Sequence, residues 1–281
     1  MEDLQNKNLA VIDYLVSNEA FNLVYDADLD CLKTIPQPKL EDLPRYYESQ
    51  DYISHTDKKS GLISFAYQLV KKWSLQTKTE LIEKQNGEIG SLLDVGAGTG
   101  DFLNFAKSKG WKVDGMEPSK EASSLALGKG IELKTNLNDF LGQQYDVVTL
   151  WHVLEHIPNL EQTIVALSNL VKPNGTLIIA VPNFKSYDAK YYKKYWAAYD
   201  VPRHLWHFSK SSVESLFSNS FLLEKTKPMI FDSFYVSLLS EKYKTGNKFS
   251  IKALFIGLRS NLSAWSTKEY SSHIYCLRKT N

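Results

Sequence analysis

Asp94, Gly96, Gly98 and Gly100 occupy alternate positions in the run Leu92-Leu93-Asp94-Val95-Gly96-Ala97-Gly98-Thr99-Gly100-Asp101. Glycines at this spacing let the backbone turn sharply and bring its N–H groups against a ligand. A helix opening at Asp101 would add the unpaired N–H groups of its first turn. This is chemistry suited to a nucleotide-type ligand, and the acid narrows the kind. A dinucleotide fingerprint reads G-x-G-x-x-G around a pyrophosphate. Here the order is acid-x-G-x-G-x-G, and a carboxylate at Asp94 would repel a phosphate beside it. A ligand with a cationic group fits better, against the plain alternative of a glycine-rich turn with no ligand.

Three further groups carry chemistry. Glu117 lies 21 residues after Gly96 at the end of the next apolar run, where a carboxylate can accept both ribose hydroxyls of a nucleoside. In Asn136-Leu137-Asn138-Asp139 an amide or carboxylate oxygen can accept from an adenine amino group while Leu137 packs on the ring; an ordinary turn accounts for the segment equally well. The order His152-x-x-Glu155-His156 matches the H-x-x-E-H pattern of inverted zinc peptidases, and on a helix the three side chains share one face. The segment directly follows a buried strand, Asp146-Val147-Val148-Thr149-Leu150, with no further ligand group nearby, which argues against a peptidase.

Tyr199-Asp200-Val201-Pro202-Arg203-His204-Leu205-Trp206-His207-Phe208 is the densest polar and aromatic segment. Histidine has the side-chain pKa nearest working pH, about 6.5, so His204 and then His207 are the candidates for a general base. The Arg203 fork suits a substrate carboxylate or phosphate. The alternative is that these residues only fix the corner before the next helix. A similar density, with candidates Tyr52 and His55, occurs upstream in Tyr46-Tyr47-Glu48-Ser49-Gln50-Asp51-Tyr52-Ile53-Ser54-His55.

The elements that must hold these groups follow from hydrophobic period and punctuation. Ser91–Val95, Lys112–Met116, Ile131–Lys134, Tyr145–Leu150 and Thr176–Val181 read as strands, with helices at Asp101–Ser108, Lys120–Leu127 and Leu160–Val171 and a turn at Pro173-Asn174-Gly175. Strands alternating with helices predict an α/β fold with a parallel sheet covered on both faces, and ligands bind beyond the carboxyl ends of such strands. Residues 61–84 read as a helix leading into the first strand. Ser211–Glu214 reads as a capping box opening a helix to Phe217, and Leu222–Ile230 and Ser272–Leu277 as closing strands. Residues 1–58 form an appendage of short β-like pieces around Ala20–Tyr25, and the aromatic stretch 183–210 reads as a lid or acceptor wall.

At 281 residues with 43% hydrophobic side chains, the chain can bury a sizeable core. It has no apolar run long enough for a membrane span and no basic, apolar start of a signal peptide, so a cytoplasmic location is expected. Cys31 and Cys276 are its only cysteines, which supports neither a disulfide framework nor a cysteine zinc site. The net charge of +1 conceals an asymmetry: residues 1–180 hold 17 basic and 25 acidic side chains, residues 181–281 hold 16 and 7. The basic part could face an anionic substrate or surface, or be an ordinary solvated face.

The glycine run resembles the first motif of the class I S-adenosylmethionine-dependent methyltransferases, whose cofactor carries an amino group and a sulfonium, both welcome near Asp94. Val153-Leu154-Glu155-His156 followed by Ile157-Pro158-Asn159 resembles what such enzymes carry after the fourth strand, and is similar to the ubiquinone-pathway O-methyltransferases, which have an acid at the position of His152 and bind a divalent cation. The patterns around Tyr46–His55 and Tyr199–Phe208 resemble a bacterial subgroup whose members often begin with a cysteine zinc ribbon; with only Cys31 present, the appendage looks like a ribbon that has lost its metal.

The resemblance implies a Rossmann-like three-layer sandwich over residues 59–281 with a mostly parallel seven-stranded sheet. It assigns Asp94, Gly96, Ala97, Gly98, Gly100, Glu117, Pro118, Asn136, Leu137, Trp151 and His152 to the cofactor. His204, His207 and His55 are the candidate bases, and Arg203, Tyr52 and Tyr199 the candidate acceptor-binding residues. No structural zinc or other bound metal is expected, since no closed ligand set is visible, with a magnesium-like ion at Glu155 as the alternative. The histidines favour transfer to oxygen of a small or lipid-like, anionic acceptor. An NAD-dependent oxidoreductase and a non-catalytic cofactor-binding module are the alternatives. Neither DNA nor RNA is expected as a partner, because no nucleic-acid-binding module accompanies the basic third.

Overall fold

A computed structural model describes residues 8–47, 62–247 and 249–280. The candidates Tyr52 and His55 lie outside the described residues.

The chain opens with an antiparallel meander, β1 (Leu9–Ile12), β2 (Ala20–Asp26) and β3 (Cys31–Ile35). A long helix, α1 (Leu62–Asn86), leads into β4 (Ser91–Val95), α2 (Asp101–Ser108), β5 (Lys112–Met116) and α3 (Lys120–Leu127), all four with the bounds or nearly the bounds that the hydrophobic period predicts. Next come β6 (Tyr145–Trp151), α4 (Leu160–Leu170), β7 (Val171–Pro182) and α5 (Tyr187–Tyr192). The chain ends with β8 (Trp206–His207), α6 (Lys210–Phe217), β9 (Phe221–Pro228), α7 (Asp232–Thr245), α8 (Ile251–Thr267) and β10 (Ser272–Lys279).

The main sheet has the order β5-β4-β6-β7-β10-β9, parallel from β5 to β7, with β10 antiparallel to both neighbours. Its central strands carry apolar runs broken by the buried polar pair Asp94 and Thr149, and Leu92, Leu93, Val147, Val148, Leu150, Leu177, Ile178 and Ile179 are fully buried. A strand covered on both faces requires this rather than alternation. Leu81 and Ile82 of α1 with Phe102 and Leu103 of α2 pack on one face. Leu167 and Leu170 of α4 with Val213 and Phe217 of α6 pack on the other, completing three layers.

Four local expectations are corrected. The sheet has six strands rather than seven, because Ile131–Lys134 makes only one bridge, Lys134 to Met116. Glu132 is exposed, and the chain turns at Asn136 into a single 3-10 turn, so the segment is too short to form a ladder. Pro173-Asn174-Gly175 does not precede the strand but lies inside β7, where Asn174 is left-handed and the register against β6 shifts. The cap of α6 is Ser209, whose hydroxyl accepts from the Ser212 N–H while the Ser212 hydroxyl accepts from the Ser209 N–H; the predicted first residue, Ser211, instead donates to Asp30. Sequence reading also left 231–271 without elements, where α7 and α8 form a packed hairpin.

The appendage and the aromatic insert share a core. Val11, Phe21, Leu23, Leu32 and Tyr46 pack with Phe184, Tyr192, Trp196, Tyr199 and Val201. β8 of the insert pairs with β3, extending the N-terminal meander to four strands. Asp30, in the turn between β2 and β3, accepts from Lys185 and from the Ser209 and Ser211 hydroxyls, tying that turn to the start of α6.

Candidate active site

The glycine turn is built as its residue types require. Gly96, Gly98 and Gly100 have φ of 76°, 54° and 72°, a region side chains other than glycine enter only at a cost. A Cβ on Gly96 would lie 2.4 Å from the Val153 side chain, so this glycine lets the segment after β6 close against the turn. Gly98 has nothing within 4 Å of its Cβ position, leaving open space at the tip. Asp94 is buried at the end of β4 and accepts from the Thr149 hydroxyl at 2.6 Å. Burial raises its pKa to about 7, with Thr149 and the half-buried cation Lys78 opposing the rise.

Glu117 follows β5, its carboxylate fixed by the N–H groups of Gly98 (2.9 Å) and Ser119 (2.9 Å). Asp94, Glu117 and the three glycines therefore converge at the carboxyl ends of β4 and β5. Ala97 N–H is taken by the Met116 carbonyl. Pro118 and Asn136 are exposed, Asn136 capping the 3-10 turn Leu137–Phe140, and Leu137 is half-buried against the core. The Trp151 ring packs edge-on to Phe102 and under Lys78, on the face of α1 and α2.

His152 to His156 do not form the α-helix that would align three side chains. His152 is left-handed, with φ 58°, and only Leu154–His156 make a 3-10 turn. His152 reaches Glu155 through Nδ1 (3.3 Å) and Asp232 of α7 through Nε2 (3.4 Å). Burial opposes its charge, but the two carboxylates outweigh that and raise its pKa to about 10. Glu155 is itself buried, and burial works against its ionisation; the His152 hydrogen bond and the facing imidazoles keep its pKa below the usual value.

The place left by His152 is taken from the insert. Glu155, His156 and His204 bring one ligand atom each within 4.8 Å of one another, the one such group of His, Cys, Asp and Glu found among the described residues. The His156 and His204 rings meet edge to face with centroids 4.5 Å apart. Each imidazole sets its Nδ1 on a main-chain carbonyl, Arg203 at 3.0 Å for His156, which also meets the Tyr47 hydroxyl at 3.1 Å, and Ala198 at 2.9 Å for His204. A neutral ring then has Nδ1 as the donor and its lone pair on Nε2, which in His204 lies 3.9 Å from an Asp200 oxygen. Burial, and then the charge of His204, push His156 down to about 4. Glu155 Oε2 is buried without a hydrogen-bond partner. This donor set suits a divalent cation: two imidazole nitrogens oriented by carbonyls behind them and an unsatisfied carboxylate oxygen.

The other candidates of the insert are placed as ties between elements. Arg203 is 1% exposed and spends its guanidinium on Asp200 (2.7–3.1 Å), Asp13 (2.8 Å) and the Tyr46 carbonyl (2.8 Å). That leaves no fork for an acceptor anion. His207 is buried on β8 with its Nε2 at 3.0 Å from the Thr34 hydroxyl of β3; burial and His204 hold its pKa well below the ordinary value. Tyr199 is buried edge-on to Trp196 and His207. Sequence reasoning missed Asp13, Thr149, Lys78 and Asp232, each an unremarkable residue whose partner lies far away along the chain.

A sheet with this order, covered on both faces and ending in an acid and a glycine turn beside a ribose-type carboxylate, defines the class I methyl-transfer fold. Residues 65–220 match the model of a family described as "Methyltransferase domain", and the chain belongs to that family of S-adenosylmethionine-dependent methyltransferases. It is 35% identical over 120 residues to a ubiquinone biosynthesis O-methyltransferase of Vibrio atlanticus, covering 38% of this chain and 51% of the relative. It is 36% identical over 102 residues to the protein of that name from Saccharophagus degradans, covering 33% and 43%. The matches thus span about half the length of these relatives. Among solved structures, the cyclopropane synthase MmaA2 of Mycobacterium tuberculosis shares the fold at TM-score 0.52 and 14% identity, over 87% of this chain and 100% of that one. The plantazolicin methyltransferase BpumL in complex with SAH does so at TM-score 0.51 and 16% identity, over 85% and 94%. The oxidoreductase alternative finds no support among them.

Proposed function

We propose that this chain moves the sulfonium methyl group of S-adenosylmethionine to a hydroxyl oxygen of a small, lipid-like acceptor held between the glycine turn and the Glu155–His156–His204 cluster. The observation that carries this reading is the closure of Val153 onto Gly96, which sets that cluster next to the end of the cofactor turn. Glu117 would take the ribose hydroxyls and the Asp94 carboxylate would face the cationic amino acid end of the cofactor. Bound S-adenosylmethionine would supply the methyl group, the acceptor oxygen forming a bond to that carbon as the carbon–sulfur bond breaks and the electron pair goes to the sulfur of S-adenosylhomocysteine. The hydroxyl proton would pass to Nε2 of His204, whose ring is aimed by the Ala198 carbonyl and whose imidazolium the Asp200 carboxylate, 3.9 Å away, would stabilise. The names of the ubiquinone-pathway relatives support the lipid-like acceptor.

The unpartnered Glu155 Oε2 favours a second form of the same reading, in which Glu155, His156 and His204 hold a divalent cation that supplies Lewis acidity to the acceptor hydroxyl. The experiment is methyl transfer from labelled cofactor to a panel of catechols, phenols and quinols, with the chain as purified, metal-depleted and resupplied with magnesium, manganese or zinc. Transfer to a hydroxyl that disappears in His204→Ala supports the reading. Cofactor binding with no transfer to any hydroxyl acceptor in any metal state sinks it in favour of a cofactor-binding module.

A further inference from the structure

The helix α8 is built inside out for a helix in water. Its buried positions are Ala253, Ile256, Gly257, Ser260 and Ala264, four of the five small, while Ile251, Leu254, Phe255, Leu258, Leu262 and Trp265 project outward. These outward side chains are 64%, 36%, 66%, 46%, 46% and 68% exposed. Their spacing of three or four residues places them on one stripe along the helix. The inward small residues let α8 lie close on α7: a Cβ on Gly257 would come within 2.9 Å of the Phe234 backbone. The stripe continues onto the turn before α7, where Ile230 and Phe231 are 45% and 54% exposed and the Asn261 amide of α8 donates to the Ile230 carbonyl. Scattered surface leucines need no explanation, but a continuous apolar stripe of this size marks a contact surface.

Charge identifies what covers it. The stretch from Lys242 to Lys268 contains six lysines and arginines and no aspartate or glutamate. Lys244, Arg259 and Lys268 are exposed, and Lys252 is exposed with a 3.6 Å pairing to Glu241 of α7. An apolar stripe edged by cations fits the headgroup and upper acyl region of an anionic bilayer. A second copy of the chain fits poorly, since two-fold pairing would set one predominantly cationic face against another. At 17 residues α8 is about 25 Å long. Among the described residues no helix is long and apolar enough to cross a membrane, so α8 would lie along the surface. The hairpin also reaches the active site, because Asp232 in the first turn of α7 holds His152.

We infer that the outward face of α8, with the 230–231 turn, docks this protein on anionic lipid bilayers. The inference goes beyond the acceptor reading and does not depend on it, since vesicle binding is measured without methyl transfer. The test is sedimentation of the full chain with vesicles of phosphatidylcholine alone and of phosphatidylcholine mixed with phosphatidylglycerol. Binding to the mixed vesicles only, weakened by salt and reduced at least about tenfold in Phe255→Ser/Trp265→Ser, is the expected result. Arg259→Glu/Lys244→Glu should weaken it as well. Cofactor binding by both double variants, retained as in the parent, reports that they are folded. No binding of the parent chain to mixed vesicles overturns the inference, as does binding that both folded variants keep. A parent dimer that Phe255→Ser/Trp265→Ser dissociates, without vesicle binding, assigns the face to a second copy instead.

Discussion

Arg203 and Asp13, 190 residues apart in the chain, form a buried ion pair at 2.8 Å whose side chains are 1% and 0% exposed. Asp200 completes the pair on the other side of the guanidinium, and the Tyr46 carbonyl takes a third donor. Burial works against the charge on Asp13, but the Arg203 hydrogen bond and the local N–H groups lower its pKa. The appendage and the insert are thus joined by an interaction that is costly to break. Replacing Arg203 with Ala strands two carboxylates and should cost about 3–5 kcal/mol. Thermal unfolding checks this. A variant that keeps its melting temperature but loses acceptor affinity would return Arg203 to an acceptor-binding role.

Cofactor affinity should depend on pH through Asp94. Burial holds its pKa at about 7, so a bound cationic amino group must draw off the proton. Affinity is expected to fall as pH drops through 7, and the titration enthalpy at pH 6.5 should vary with the ionisation enthalpy of the buffer. Identical enthalpies in phosphate and Tris would remove Asp94 from the cofactor's charged end.

Glu117→Ala removes a charge-assisted acceptor worth about 1.5–3 kcal/mol, so cofactor binding should weaken by about ten- to a hundredfold while the fold is retained. Gly96→Ala adds a Cβ that collides with Val153 in a left-handed backbone position and should damage both the turn and the placement of Glu155. Isothermal titration with S-adenosylhomocysteine separates the two variants.

His204→Ala should lower turnover by about 10²–10⁴-fold with cofactor affinity nearly unchanged. Elemental analysis of the same protein decides between its two roles. Loss of a stoichiometric divalent ion along with turnover makes His204 a ligand, and loss of turnover from a chain that never held one makes it the base. Unchanged turnover would place the base elsewhere.

Asp30 gives a stability prediction in acid. Its burial raises its pKa, but Lys185, Ser211, Tyr25 and Ser209 hydrogen-bond to it and bring it down to about 2, below its ordinary 3.8. A depressed folded pKa contributes stability that is present above the unfolded value and lost as pH falls through the folded one. The tie between the β2–β3 turn and α6 should weaken between about pH 4 and pH 2. Asp30→Asn should lower the melting temperature at pH 7 and flatten its dependence on pH in that window.

The β4–α2–β5 unit was legible in the sequence because everything that specifies it is local: an apolar run, an acid, glycines at left-handed positions and a helix start. Glu117 was legible for the same reason, as the residue that ends the neighbouring strand. The six-stranded count was not, since whether Ile131–Lys134 forms a strand depends on an edge partner and on the cap at Asn136. Nor was the role of Arg203, whose partner Asp13 carries no signal of its own. The helix α7 carries little apolar period, its buried face being mainly Ser233, Val236, Ser237 and Ser240. In α8 the period is present, from Ile251 to Trp265, but on the outward face, so it gives the helix and not the side that packs. His152, Glu155 and His156 were placed together correctly as neighbours, but a left-handed residue at His152 turned its ring to Asp232 and left the vacancy that His204 fills.

β3 pairs with a strand of two residues, Leu32 opposite His207 and Lys33 opposite Trp206. During synthesis the meander β1–β3 leaves the ribosome with that edge bare and must wait for residue 207 before the edge is covered. A pairing this distant is slow to form and rewards the chain late. Until then an open strand edge is a template for other chains. The wall beside His204 therefore closes only once its own second strand has been made, and until then the bare edge of β3 exposes the folding chain to mispairing.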